Sequence, residues 1–272
     1  MARRPPFDFI LTNPPFVKPM MAKPKILPHL KQPPFETHDL RAQLTAFLDT
    51  PFTDRTGATM KIGNYKWGCY AFYDYDNEPI YVGQTNEMLR TRIRRHLTNQ
   101  RTDAVAMNVL DPFEVRSIEV WPLPELQGVH GKDKAAKAHL NALERQITES
   151  CVAASRFQAI LNEKDPPPGT DVVEVPQSFR GTILSDRVLE LRGHPDLRNA
   201  RRAQTVARLA QTIAEREVKQ GLRRVLVVQA QRLESLAVSR FEELGGAAAV
   251  EKKDPGKSES EEEDAEAPET DE

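Results

Sequence analysis

Residues 68–85 constrain the fold more than any other part of the chain. They read GCYAFYDYDNEPIYVGQT, with strand-forming residues on both sides of the turn-forming run DYDNEP, and so predict an antiparallel hairpin. A two-residue loop places Tyr81 opposite Phe72. The same pairing places Tyr70 opposite Gly83, and because side chains alternate along a strand, both tyrosines project from one face. The missing side chain at Gly83 lets another group approach closely.

Helices and one more strand are predicted to surround this hairpin. Residues 86–97 and 134–151 carry apolar residues at helical spacing, and residues 113–121 alternate like a third strand. The run DPPPG closes the region at residues 165–169. A compact mixed region is therefore expected over about residues 65–165.

Three polar side chains stand beside the apolar faces of these two helices. Arg92 and His96 are four residues apart and flank the apolar stripe of the first helix, so we expect them together near the sheet. Glu144 stands at the edge of the apolar face of the second helix, where a carboxylate is costly unless it is paired or holds a cation.

Further arginines follow the same segment. Three of them are predicted on another helix face, toward solvent: Arg90, Arg94 and Arg101. Together with Arg95 they either contact the phosphate backbone of a nucleic acid or only keep the helix soluble.

The set of residues resembles the GIY-YIG nuclease family. The two tyrosines are eleven residues apart, as is typical of that family. The first motif reads Gly68-Cys69-Tyr70, with a cysteine at a position that normally packs in the sheet, and the segment before the last match is longer than usual. The matching elements are Tyr70, Tyr81 with Val82-Gly83, Arg92 with His96, Glu144 and Asn162.

The resemblance implies both a fold and a chemistry. The fold is α+β, a small three-stranded antiparallel sheet flanked by helices. The activity is hydrolysis of DNA phosphodiesters with one divalent metal, Mg²⁺ or Mn²⁺. By resemblance, Glu144 holds the metal and Arg92 stabilises the transition state. Tyr70 is the general base or part of its relay, Tyr81 and His96 orient the water or phosphate, and Asn162 braces the site.

The rest of the chain divides by composition. Residues 1–36 hold nine prolines and are expected to be largely irregular. Residues 37–64 form a short helix, over 37–49, and a connection, and residues 166–194 are expected to be a linker. Residues 195–246 predict a helical hairpin divided at Gly221. The acidic tail, residues 247–272, is expected to be disordered.

Arginines on the first helix of the helical hairpin suggest a function in DNA binding. Arg198, Arg201 and Arg208 recur along one face, away from the apolar positions. They are predicted to contact phosphates of duplex DNA. The alternative is a solvated face on a hairpin that forms a homodimer.

Charge and cysteine content indicate the kind of partner and the cellular location to expect. Residues 251–272 hold eleven acidic and three basic residues, so the net charge of −2 conceals a basic body that suits a nucleic-acid partner. The two cysteines build no disulfide framework, and no apolar run is long enough to span a bilayer. A cytoplasmic location without membrane contact is expected.

One motif points to another activity. The stretch Asn13-Pro14-Pro15-Phe16 resembles the catalytic motif of amino-methylating DNA methyltransferases. Such an enzyme needs a glycine-rich strand-to-helix turn in a parallel sheet, which the sequence lacks. The favoured hypothesis is therefore a metal-dependent DNA endonuclease with a restriction, mobile-element or repair role. The alternative is a non-catalytic nucleic-acid-binding protein on the same fold.

Overall fold

A four-stranded antiparallel sheet organises the computed structural model, which describes residues 33–99, 107–166 and 168–246. Its strands are β3 (Gly68–Tyr73), β4 (Pro79–Thr85), β5 (Ser117–Pro122) and β6 (Phe179–Thr182). They lie in the order β4-β3-β5-β6, and each neighbouring pair is antiparallel. The prediction of three strands is therefore wrong by one, because part of the segment assigned to a linker pairs with β5.

The predicted hairpin forms with the predicted register. Tyr70 pairs with Gly83 and Phe72 pairs with Tyr81 between β3 and β4. Tyr70 and Tyr81 therefore lie on the same face of the sheet.

The turn of this hairpin is one residue longer than expected. The amide of Asp74 donates to the carbonyl of Glu78 at 3.0 Å, which leaves three residues in the loop. Asn77 takes the left-handed conformation, with φ at 64°, as the last residue of such a loop does. A bulge between Phe72 and Tyr73 absorbs the extra residue, so the register beyond it is unchanged.

Helices cover both faces of the sheet. On the tyrosine face lie α1 (Phe35–Asp49) and α2 (Leu89–Arg94), which continues as a π-helical turn over Arg95–Asn99. The helix predicted over 86–97 thus begins at Leu89. On the opposite face lies α3 (Lys134–Ala154), whose apolar side chains pack against Cys69, Ala71 and Val82.

The segment before the sheet is more ordered than predicted. Helix α1 confirms the helix expected over 37–49 and begins two residues earlier. The connection after it contains a two-stranded ribbon, β1 (Pro51–Thr53) with β2 (Thr59–Lys61).

Three helices follow the sheet. Helix α4 (Asp186–Gly193) lies in the segment predicted as a linker. Helices α5 (Pro195–Glu215) and α6 (Gln220–Glu243) form the predicted antiparallel hairpin. Their antiparallel arrangement is shown by the contact of Asp196, near the start of α5, with Arg240, near the end of α6. Gly221 does not end the first helix. It lies in the first turn of α6, where a Cβ would collide with the carbonyl oxygen of Glu163.

Several predictions concern residues that the structure does not describe. They are the proline-rich residues 1–32 with Asn13–Phe16, Arg101, and the acidic tail 247–272. Contacts divide the chain into residues 1–34 and residues 35–272, and every element named above belongs to the second unit. Within the described part of the chain, no helix is both long and apolar enough to cross a membrane.

Candidate active site

Tyr70 is the central side chain of the tyrosine face. It is fully buried, and its ring lies over the backbone of β4 at Gly83, its partner across the hairpin. The group that the glycine admits is therefore the tyrosine itself. Strand β4 is an edge strand, so this crossing carries the Tyr70 hydroxyl to the border of the sheet.

Tyr81 and His96 lie beside Tyr70 in an aromatic cluster. The ring centroids of Tyr70 and Tyr81 are 6.5 Å apart, and those of Tyr81 and His96 are 5.3 Å apart. The rings of Tyr70 and His96 are 5.9 Å apart. His96 stands in the π-helical turn that extends α2 and is buried. The predicted proximity of the tyrosines and His96 is thus observed.

Arg92 supplies positive charge to this cluster. Its guanidinium lies beside the hydroxyl of Tyr70, and its charge also acts on Tyr81 and Glu144. Burial lowers the pKa of Arg92, but the neighbouring Tyr70 and Tyr81 outweigh that effect and raise it above its ordinary value. Arg92 is therefore a permanent cation at the border of the sheet.

Burial sets the protonation of the aromatic side chains. It raises the pKa of Tyr70 well above its ordinary value, with a further rise from Tyr81 and an opposing effect of Arg92. Burial also lowers the pKa of His96 to about 4, helped by the charges of Arg92 and Arg95. At neutral pH the site therefore holds a neutral phenol and a neutral imidazole.

Glu144 reaches the cluster of tyrosines, His96 and Arg92 from the other side of the sheet. Its helix, α3, packs on the face opposite Tyr70, yet its carboxylate interacts with both Arg92 and Tyr70. Burial raises the pKa of Glu144 to about 7, while Arg92 and the amide of Gln84 oppose the rise. The five predicted residues thus converge at β4, along the edge of this strand that pairs with no other strand of the sheet.

The chemistry of this group fits a hydrated divalent cation. No cluster of three or more histidine, cysteine or acidic side chains suited to a metal occurs among the described residues. Mg²⁺ does not require one, because it keeps several waters and binds through one or two carboxylates together with substrate phosphates. Glu144 supplies the carboxylate. The side chain of Gln84 lies beside Glu144, and its buried Oε1 atom is an acceptor that meets no donor among the described residues.

Asn162 braces the edge strand from outside. Its Oδ1 accepts from the amide of Val82 at 3.1 Å, and its Nδ2 donates to the carbonyl of Val82 at 2.7 Å. Next to it, the amide of Leu161 donates to the carbonyl of Ile80 at 2.8 Å. Asn162 thus holds the strand between Tyr81 and Gly83.

The arginines of α2 are mostly engaged within the chain. Arg90 bonds to Asp49 at 2.8 Å and to Asn64 at 2.9 Å, so the prediction that it faces solvent is wrong. Arg94 donates to Thr45. Arg95 pairs with Glu87 at 2.8 Å.

The arginines of α5 largely face the protein as well. Arg198 is 5% exposed and holds Asp76 in the β3–β4 turn, so this member of the predicted phosphate-contacting face is turned toward the protein. Arg201 pairs with Asp111. Arg208 alone of the three predicted residues is exposed.

An ion-pair network that the sequence did not indicate lies beneath these arginines. Arg202 and Arg232, both nearly fully buried, bind Asp74 at 2.9 Å and 2.7 Å. Arg202 also binds Glu114 at 3.1 Å. The helical hairpin is therefore attached to the tip of the β3–β4 hairpin by buried charge.

Two polar residues near the site were also missed. The Nε2 of Gln84 donates to Oδ1 of Asn141 at 2.8 Å, and Gln84 lies beside Glu144. A signal was present, because the two-residue period of β4 places Gln84 on the α3 face with Val82. Asn141 precedes Glu144 by three residues, which is one turn of α3.

Comparison with known proteins gives a result for part of the chain. Residues 66–150 match the sequence model of the GIY-YIG catalytic domain. No curated protein and no solved structure matches the chain significantly. The matched segment contains β3, β4, α2, β5 and most of α3, and with them the five residues that converge at β4. Over residues 66–150 the chain is therefore similar to the catalytic domain of the GIY-YIG nuclease family.

Proposed function

We propose that the protein is a metal-dependent endonuclease that hydrolyses phosphodiester bonds of duplex DNA. The observation that carries the proposal is the convergence of Tyr70, Tyr81, Arg92, His96 and Glu144 around the edge strand β4. These residues come from two strands and two helices, and no packing requirement explains a cation, a carboxylate and a buried imidazole at one point. Buried charges are costly unless they serve a structural pair or a ligand.

Arg92 is proposed to bind the scissile phosphate. Hydrolysis joins a water oxygen to phosphorus and breaks the bond to the 3′ oxygen, and negative charge grows on the phosphate oxygens between these events. The planar guanidinium offers two parallel donors to those oxygens. Because Arg92 is partly desolvated and stays charged, it stabilises that charge more strongly than a solvated arginine.

Tyr70 and His96 are proposed to handle the proton of the attacking water. Tyr70 is a neutral phenol, so it accepts a proton only as it passes its own to another group or as positive charge nearby lowers its pKa. His96 is a neutral imidazole with capacity to accept a hydrogen bond. The neutral state of both side chains supports a role for Tyr70 as one member of a proton relay, with Tyr81 and His96 orienting the water or phosphate.

Glu144 is proposed to hold Mg²⁺ or Mn²⁺. When bound, the cation supplies positive charge to the phosphate and to the departing 3′ oxygen. The carboxylate binds it only after losing its proton, and a pKa of about 7 keeps Glu144 close to that change at neutral pH.

The decisive experiment incubates the protein with mixed DNA and Mg²⁺ and sequences the ends produced. Glu144→Gln, an isosteric change without a charge, is the matched variant and should lower cleavage by several orders of magnitude. Ends that appear with the wild type and not with the variant support the proposal. DNA binding without cleavage by either protein would instead assign a non-catalytic nucleic-acid-binding role.

A further inference from the structure

Gln84 is the polar side chain of the site that neither the motif nor the proposed chemistry uses. It stands near the end of β4, directly after Gly83. Its Nε2 donates to Asn141 on α3, and its amide acts on the carboxylate of Glu144 by lowering the pKa that burial raises. The Oε1 atom of the same amide is buried and has no hydrogen-bond partner.

An unpartnered buried carbonyl oxygen is a costly feature. A buried acceptor without a donor destabilises the folded state, and few such atoms occur in native proteins. No protein group among the described residues donates to Oε1, so its donor is solvent or a group that joins the site. The waters of a hydrated cation are donors, and a Mg²⁺ ion that is held by a single carboxylate keeps several of them.

From this juxtaposition we infer that Gln84 is a positioning residue of the cation site, whose Oε1 accepts a hydrogen bond from a water on the divalent cation held by Glu144. Asn141 fixes the orientation of the amide, because its Oδ1 accepts a hydrogen bond from Nε2. The inference rests on the proposed function and adds to it a residue that fixes the hydration of the cation.

The test measures Mn²⁺ binding directly, without DNA, by calorimetry or by the electron paramagnetic resonance signal of free Mn²⁺. Gln84→Leu should weaken binding about tenfold or more, as the loss of an outer partner of a metal ligand does. Gln84→Glu keeps an acceptor oxygen and adds a negative charge, so it should bind Mn²⁺ more tightly than the wild type. The second variant keeps the test informative if the leucine variant does not fold.

Gln146→Leu is the matched control. Gln146 lies on the same helix, two residues after Glu144, but both ends of its amide bond to Val173. Its replacement should leave Mn²⁺ affinity unchanged. If Glu144→Gln abolishes binding while both Gln84 variants bind as the wild type does, the inference is wrong and the metal assignment stands. Wild-type binding that survives Glu144→Gln, or no wild-type binding at all, overturns the metal assignment and this inference together.

Discussion

The hydroxyl of Tyr70 lies 2.5 Å from the point where a Cβ on Gly83 would stand. Real Cβ atoms essentially never approach another heavy atom so closely, so the tyrosine occupies this position only because residue 83 has no side chain. The two residues are also direct partners across the β3–β4 hairpin. The glycine of the second motif and the tyrosine of the first therefore form one structural unit.

Gly83→Ala should displace the Tyr70 ring and lower kcat/KM at least tenfold, a loss of about 1.4 kcal/mol or more of transition-state stabilisation. Gly128→Ala is the control, because a Cβ there meets nothing within 4 Å. Steady-state cleavage kinetics and melting temperatures of both variants check this. An alanine variant at 83 as active as the one at 128 would show that the position of Tyr70 does not matter for cleavage.

Arg92→Lys should be nearly as damaging to cleavage as Arg92→Ala. Lysine keeps the charge but loses the two parallel donors of the guanidinium. Arg223→Lys, at an exposed position of α6, is the control. Single-turnover rates on one DNA substrate measure the effect. Retention of more than about a tenth of the wild-type rate in the lysine variant would identify Arg92 as a point charge.

The metal-free protein should lose stability as pH rises through 7, relative to its Glu144→Gln variant. The folded pKa of Glu144, about 7, is above the value of an unfolded glutamate, so folding favours the protonated form. Its stabilising contribution is complete below the unfolded pKa, near 4.3, and is lost as pH rises through about 7. Each unit between the two pKa values corresponds to about 1.4 kcal/mol.

Urea unfolding in EDTA between pH 4 and pH 9, on the wild type and on Glu144→Gln, measures this difference. A difference between the two proteins that stays constant over that range would contradict a raised pKa. Saturating Mg²⁺ should reverse the trend, because only the charged carboxylate binds the cation.

Asn162→Ala should destabilise the protein by about 1–3 kcal/mol. The change leaves the amide and carbonyl of Val82, in a buried part of β4, without their partners. Hydrogen exchange at the Val82 amide should accelerate more than exchange in β5, which tests a local role in bracing the edge strand. Equal acceleration throughout the sheet would indicate a global loss of stability instead.

Arg202→Met should destabilise folding by about 3 kcal/mol, because it leaves buried Glu114 without its arginine and weakens the pairing of Asp74. Arg208→Gln should leave the melting temperature unchanged, since Arg208 is exposed. Differential scanning calorimetry compares the two. If Arg208 contacts phosphate, its variant should also reduce the salt dependence of duplex binding by about one unit of log–log slope.

The pairing of Phe72 with Tyr81 and of Tyr70 with Gly83 could be predicted because the signals of the β3–β4 hairpin are local. Strand-forming residues, turn residues and a two-residue period together define one register, and the pairing of Tyr70 with Gly83 follows from it. The loop is one residue longer than expected. A bulge between Phe72 and Tyr73 compensates for the extra residue, so the register from Phe72 to Gly68 is unchanged. Helix periodicity placed Arg92 and Glu144 each at the edge of an apolar face, whereas their assignment to one site came from the resemblance to the GIY-YIG family.

Features that depend on distant partners could not be predicted. The segment 179–182 has only four residues and is flanked by polar sequence. It becomes a strand only because β5 offers a free edge. Arg198 looked like a solvent-facing residue because nothing in its own helix shows that Asp76 lies opposite it. The periodicity of a helix identifies its apolar face, but a polar face that meets acidic residues of another segment has the same pattern as one that meets water.

The buried network at the tip of the hairpin limits how far this protein can be divided into independent parts. Asp74, Asp76 and Glu114 belong to the segment that matches the catalytic domain, but their arginine partners come from α5 and α6. A fragment that ends before α5 would present three uncompensated carboxylates to solvent at one end of the sheet. Such an acidic surface would repel a polyanion, so under the proposed function a fragment isolated by truncation would bind DNA more weakly than the complete chain.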